Sequence, residues 1–144
     1  MTVQTAGEMA SNGFLRKFIS PDGAATIMVE DDGRVAYAYW LDAAGTIRGD
    51  VWLYNRCPAP LQPEWTDRDA APYANPAAFV DEAVAFSPPA SAACITVEWR
   101  RSEAGQIGDI LVWGWVLARL MDGQKPGSSR LAAKDGPLAL RLSD

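Results

Sequence analysis

The sequence predicts a mainly β domain of the α+β class: an antiparallel β-sandwich or a strongly curled sheet of about seven strands, with one short helix. Three observations support this prediction. Residues 14–54 alternate between two faces with a period of two, they are rich in β-branched and aromatic residues, and turn signals divide them at regular spacing. The predicted strands cover residues 14–19, 25–30, 34–41, 47–54, 95–101, 107–120 and 138–142.

Short turn sequences separate the first four of these strands. Pro21-Asp22-Gly23, Asp31-Asp32-Gly33 and Asp42-Ala43-Ala44-Gly45 carry the residues that tight turns and hairpins favour. Further along, residues 107–120 are almost continuously apolar, which is typical of a strand that is covered on both faces. Gly114 interrupts this run and marks either a bulge or a second turn.

Residues 55–76 contain five prolines, which excludes regular strand pairing there. A loop of this length in a compact domain is usually functional or disordered. Because it carries Trp65 and Tyr73, we expect it to pack over the sheet. Asn75-Pro76 then has the form of a helix start, with Asn as N-cap and Pro at the first helical position. A short helix is predicted from about 76 to 85, with a strand as the alternative.

The length of 144 residues fits one domain, here residues 14–144, preceded by an expected flexible tail over residues 1–13. A chain of this size buries a core without a metal or disulfide. No apolar stretch approaches the ~20 residues of a membrane helix, and no secretory signal is visible at the N-terminus. We therefore expect a soluble, cytoplasmic protein that does not bind membranes.

The two cysteines, Cys57 and Cys94, are 37 residues apart in the chain. They form no Cys-x-x-Cys pair and cannot by themselves complete a tetrahedral zinc site. In the cytoplasm both are expected to be reduced. Cys94 opens an apolar run and is predicted to be buried and inert, whereas Cys57 lies in a loop.

The chain contains no histidine, which excludes every mechanism that needs an imidazole. Ser-His-Asp and Cys-His catalysis and His-ligated metals are therefore absent. The sequence also lacks a Walker A loop, a dinucleotide-binding glycine motif and an EF-hand. A net charge of −5 and the lack of a basic stripe disfavour nucleic-acid binding. We expect no cofactor and no metal.

Two segments carry a resemblance to other proteins. Residues 50–55 run DVWLYN and residues 125–138 run KPGSSRLAAKDGPL; together they cover about a seventh of the chain. They resemble a family of small bacterial proteins of uncharacterised function, although Ser128 stands where that family has an aromatic residue. The resemblance implies a bacterial source but no reaction, cofactor or site.

Paired carboxylates are the remaining route to catalysis. Asp50 shares a predicted strand face with Trp52 and Tyr54, and Glu98 shares one with Arg100. If the two faces met, they would form a cleft suited to a histidine-free acid/base hydrolase. The favoured interpretation is a half-solvated sheet face with cross-strand ion pairs.

Five of the six tryptophans lie in predicted strands, where large aromatic residues mostly pack in the core or on a sheet face. Trp65 differs because it lies in the proline-rich loop, where it either fills the core or anchors a partner. Trp, Tyr and Arg dominate the energetics of protein interfaces. The candidate partner-binding residues are accordingly Tyr54, Arg56, Trp65, Arg68 and Tyr73.

Three functional hypotheses follow from the sequence. The first is a non-enzymatic protein-binding module of a bacterial cytoplasm, in one form an immunity or antitoxin protein against a basic partner. The second is a small-ligand-binding domain with an aromatic-lined cavity. The third, ranked last, is the histidine-free enzyme. A flat exposed aromatic patch would favour the first, and a large aromatic pocket the second. The oligomeric state is left open.

Overall fold

The computed structural model describes residues 13–61 and 74–142. Of these residues, 48% lie in strands and 5% in helices, so the prediction of a mainly β fold is confirmed. The strands form two sheets of four and five strands, and neither sheet closes on itself within the described part of the chain. The finer choice between a sandwich and a single curled sheet stays a prediction.

The first sheet is an antiparallel meander in chain order, formed by β1 (Phe14–Ile19), β2 (Thr26–Asp31), β3 (Val35–Leu41) and β4 (Ile47–Asn55). These strands agree with the predicted ones to within one residue at each end. An aspartate acts at each turn: Oδ1 of Asp22, Asp31 and Asp42 accepts a backbone N–H two residues further on, at 2.8–3.0 Å. Local turn chemistry therefore sets this half of the fold.

The second sheet contains β5 (Ile95–Ser102), β6 (Gly105–Val112), β7 (Trp115–Met121), β8 (Ser128–Ser129) and β9 (Leu140–Arg141), in that order. All its pairs are antiparallel except β8 with β9. The single strand predicted over residues 107–120 is wrong, because Trp113 and Gly114 form a hairpin turn between β6 and β7. Of the two predicted roles for Gly114, the second turn is confirmed.

The two sheets contact each other through their apolar faces. The Trp40 ring of β3 meets the Trp99 ring of β5 edge-to-face, with centroids 5.6 Å apart. Gly108 of β6 leaves room for the Ile27 side chain, which occupies the space that a Cβ at Gly108 would need. Backbone hydrogen bonds also join the free edge of β4 to the segment after β7, including Gly127 N–H to Asp50 O at 2.7 Å. The core therefore contains residues of both sheets.

The helix predicted over residues 76–85 is wrong. Only Ala77–Phe79 forms a single 3₁₀ turn, and Val80 makes an isolated bridge with Ala132. Asn75 does not cap the turn, because its N–H donates to Asn55 Oδ1 and its carbonyl accepts from Asn55 Nδ2, both at 2.9 Å. Long-range hydrogen bonds thus take the backbone groups that a helix would have used.

Several predictions fall on residues that lie outside the described ones. These include residues 1–12 of the predicted tail and residues 62–73 of the proline-rich loop, with Trp65, Arg68 and Tyr73. In the rest of the chain, no helix has the length and apolarity needed to cross a membrane.

Candidate functional site

The hairpin turn between β6 and β7 presents two tryptophans at the surface. Trp113 is 56% exposed and Trp115 is 38% exposed, although both were predicted to pack in strands. The Trp113 N–H donates to Cys94 O at 2.9 Å, which fixes the turn against the start of β5. Two large apolar side chains are therefore held in water by an ordered turn.

The backbone at Trp113 has a conformation that tryptophan rarely adopts. Its φ is +52°, and the next residue, Gly114, has a φ of +78°. Two-residue hairpin turns with positive φ at both positions prefer Asn-Gly, because the Cβ of a larger residue is crowded there. Such a backbone costs about 1–3 kcal/mol and persists where the surrounding structure imposes it, often at functional sites.

Phe86 completes an aromatic surface with the two tryptophans. Its ring centroid lies 6.4 Å from Trp113 and 6.2 Å from Trp115. Together with Ala85, Ser87 and Val112, these three side chains line an open groove of about 460 Å³. We call Phe86, Trp113 and Trp115 the tryptophan patch.

Arg130 borders the tryptophan patch. Its guanidinium carbon lies 5.5 Å from the Trp115 ring centroid, within range of a cation–π contact. Its Nε donates to Val116 O at 2.7 Å, so the side chain is held beside the ring. The patch therefore combines Trp, Phe and Arg, a composition close to that of interface hot spots.

A second depression lies on the other side of Phe86, with a volume of about 350 Å³. Its described lining residues are mostly apolar, with two acidic residues: Trp52, Tyr54, Asn55, Cys57, Pro58, Ala59, Val80, Asp81, Glu82, Val84, Phe86, Pro88 and Leu131. We call it the acidic cleft. It joins the tryptophan patch through Phe86.

Tyr54 and Arg56, two of the predicted partner-binding residues, converge on one buried carboxylate. The Tyr54 hydroxyl donates to Asp31 Oδ2 at 2.5 Å, and Arg56 Nε donates to the same oxygen at 2.7 Å. Arg56 Nη2 also donates to Pro89 O. Burial, followed by the hydrogen bond to Asp31, raises the pKa of Tyr54 well above its ordinary value.

This triad lies inside the protein. The Asp31 side chain is fully buried, the Arg56 side chain is 14% exposed and Tyr54 is 1% exposed. Its side chains therefore have internal partners, as buried polar groups require. The other three predicted partner-binding residues, Trp65, Arg68 and Tyr73, lie outside the described residues, so their role stays a prediction.

The structure does not bring Asp50 and Glu98 into one cleft. Asp50 follows Gly49, which pairs with Trp40, and Glu98 precedes Trp99. Because side chains alternate along a strand and Trp40 contacts Trp99, Asp50 and Glu98 each lie on the strand face opposite to that contact. Burial raises the pKa of Asp50, against a smaller opposing effect of Lys125, while Glu98 is exposed.

Both cysteines are free and half-buried. Cys57 lines the acidic cleft. Cys94, predicted to be buried, lies beside Trp113 at the start of the second sheet. Among the described residues, no group of three or more Cys, Asp or Glu side chains is placed to hold a metal ion.

Sequence reasoning missed all three residues of the tryptophan patch. The available signal was the Trp113-Gly114 dipeptide between two apolar runs of strand length, which is the spacing of a two-residue hairpin. No comparable signal marks Phe86, because its position depends on contacts made across the fold. No protein-family model, curated protein or solved structure matches this chain.

Proposed function

We propose that this protein is a binding protein that recognises a protein partner through the tryptophan patch. The observation that carries the proposal is Trp113, a large apolar side chain that is 56% exposed on a left-handed backbone. The fold gains little from such a residue, since Asn would suit the turn better. A requirement for an exposed indole explains both its exposure and its backbone conformation.

The chemistry of the patch favours an apolar side chain of a protein as its occupant. The groove lies between Phe86 and the two tryptophans, and its exposed surface is mainly apolar. Clusters of Trp, with Arg at the edge, supply most of the binding energy in many protein interfaces. The net charge of −5 favours a basic partner, and neutralisation of one, as by an immunity protein or antitoxin, is one form of this function.

The proposal is tested by affinity capture with the native protein, followed by titration calorimetry of the purified partner. Trp113→Asn and Trp115→Ala each remove an indole, and Ile19→Thr removes an apolar side chain exposed elsewhere, on β1. We expect each tryptophan variant to weaken binding by about 30-fold, or about 2 kcal/mol, and Ile19→Thr to change it less than about twofold. Unchanged affinity in both folded tryptophan variants would refute the proposal.

Small-ligand binding is the second candidate function, and the acidic cleft favours it. Its volume of about 350 Å³ lies within the ~300–1,000 Å³ that is usual for ligand sites. Three aromatic residues are among its lining residues, of which Phe86 is partly exposed and Trp52 and Tyr54 are buried. A ligand that raises the melting temperature and loses this effect in Ala59→Trp, which fills the cleft, would support this function.

A further inference from the structure

The acidic cleft is apolar in its walls and negative at its border. Val80, Val84 and Leu131 line it together with Phe86, and Asp81 and Glu82 are adjacent in the chain. No Lys or Arg is among its described lining residues. Arg56, which follows the lining residue Asn55, pairs with Asp31, while Arg130 lies over the Trp115 ring and Lys134 over the Phe79 ring. The lining of the cleft therefore combines an apolar surface with two carboxylates and no cationic side chain.

The two carboxylates of the cleft have no ion pair among the described residues. Asp81 Oδ1 accepts the Ala83 N–H at 3.1 Å, and the Glu82 residue is exposed. A second acidic depression, lined by Asp22, Asp42 and Asp122, differs in this respect. There Arg101 pairs with Asp22 and Arg48 pairs with Asp122, so that only Asp42 has no ion pair with a described residue. In the cleft at Phe86, by contrast, neither carboxylate is paired with a described residue.

Asn75 contacts a lining residue of the cleft but does not itself line it. Its side chain is buried, and Oδ1 accepts no hydrogen bond from any described residue. Asn75 is bonded through its backbone to Asn55, a lining residue of the cleft. A buried acceptor without a donor destabilises a protein, so this part of the fold is less stable than full hydrogen bonding would make it.

We propose that the acidic cleft receives a cationic side chain, Lys or Arg, of the protein partner. The aliphatic stem of such a side chain packs on apolar walls while its charged end meets carboxylates, and aromatic rings attract the same cations. The inference rests on the proposed function for the partner itself. It specifies a partner segment with an apolar side chain on the tryptophan patch and a basic one beyond Phe86.

Cys57 provides a reporter inside the cleft that needs no partner. Two methanethiosulfonate reagents of similar size, with a trimethylammonioethyl or a sulfonatoethyl group, label thiols with opposite charges. The Cys57 thiolate attacks the sulfur that carries the ethyl group, a mixed disulfide forms and methanesulfinate leaves. Both reagents react with the same thiolate, so the ratio of the two rates reports the local potential.

The experiment compares Cys57 in a Cys94→Ala protein with Cys94 in a Cys57→Ala protein. We expect the ratio of the cationic to the anionic labelling rate to be about tenfold larger at Cys57 than at Cys94. In the double variant Asp81→Asn, Glu82→Gln, the ratio at Cys57 should fall to within about twofold of the Cys94 value. Glu82→Gln alone, at an exposed side chain, should lower the ratio several-fold without affecting the fold. Equal ratios at the two cysteines would overturn the proposal.

Protection by small molecules tests binding in the same protein. 2-Phenylethylammonium should slow the labelling of Cys57, whereas 3-phenylpropionate, with a similar apolar body and the opposite charge, should not. Protection by both, or by neither, would contradict a cation site. These results do not depend on the partner: if Trp113→Asn left partner affinity unchanged while the Cys57 ratio persisted, only the proposed function would fail.

Discussion

The aromatic residues that contact Phe86 differ in their exposure to solvent: Tyr54 is buried, whereas Trp113 and Trp115 are exposed. On one side Tyr54, 5.4 Å from the Phe86 ring, is buried and bonded to Asp31 together with Arg56. On the other side Trp113 and Trp115 contact the same ring but remain exposed. Tyr, Trp and Arg are equally typical of interfaces, so residue type alone does not separate these regions.

Hydrogen-bond partners and backbone conformation do separate them. The Tyr54 hydroxyl and the Nε and Nη2 groups of Arg56 all donate to internal acceptors, so loss of these side chains should reduce stability. Trp113 makes few interior contacts and has a crowded backbone, so its removal should act on binding. Substitutions at Arg56 and Trp113 test this division, and a substitution at Asp50 then compares two carboxylates, from the largest expected effect to the smallest.

Arg56→Met should reduce the free energy of unfolding by about 3–5 kcal/mol, because it leaves the buried Asp31 carboxylate without its cationic partner. Arg48→Met is the matched control, since Arg48 pairs with Asp122 where both side chains are about half exposed. Its loss should reduce stability by less than about 1 kcal/mol. Urea unfolding curves of the two variants measure the difference, and equal losses would contradict the assigned structural role of the triad.

Trp113→Asn should increase the free energy of unfolding by about 1 kcal/mol, because Asn adopts positive φ with less crowding. Trp113→Val should decrease it, since a β-branched residue is strained at the same φ. Both variants lack the indole, so both should bind the partner about 30-fold more weakly, while their unfolding midpoints should move in opposite directions. A loss of stability in both would mean that the contact between Trp113 and Phe86 stabilises the fold more than the backbone destabilises it.

The first sheet could be predicted from the sequence because its information is local. Asp and Gly at each turn set the hairpins, and alternation then fixes which faces are buried. The helix over residues 76–85 failed for the opposite reason. Its cap residue Asn75 bonds Asn55, 20 residues away in the chain, and Phe79 O accepts the Ala133 N–H. Such partners are not visible in a local pattern.

The candidate site was harder to predict than the fold. Tyr54 is buried because Asp31, 23 residues earlier, supplies its acceptor, and the sequence shows no sign of this pairing. Trp113 is exposed because an apolar run of 14 predicted strand residues contains a two-residue turn. Gly114 signalled that turn, but the preceding residue in such turns is normally Asn or Asp, so Trp113 was assigned to a strand.

The smallest effect is expected for a substitution at Asp50. This carboxylate is half-buried and accepts no hydrogen bond from a described side chain, whereas the buried Asp31 carboxylate accepts two. Burial raises the folded-state pKa of Asp50, so the folded protein holds this proton more tightly than the unfolded chain. The carboxylate therefore destabilises the fold once the pH rises above the ordinary aspartate value of about 4. Asp50→Asn should raise the melting temperature at pH 7, and the difference should vanish below about pH 4.

Asp22→Asn is the control of opposite sign. Hydrogen bonds from Ser20 and the Ala24 N–H lower the pKa of Asp22, so its charged form stabilises the fold above the ordinary aspartate pKa and this stability is lost in acid. That variant should melt below the native protein at pH 7 and converge with it at low pH. If the Asp50→Asn curve ran parallel to the native one at every pH, the attraction of Lys125 would offset the burial of Asp50. Asp50 would then belong with Asp31 among the compensated carboxylates.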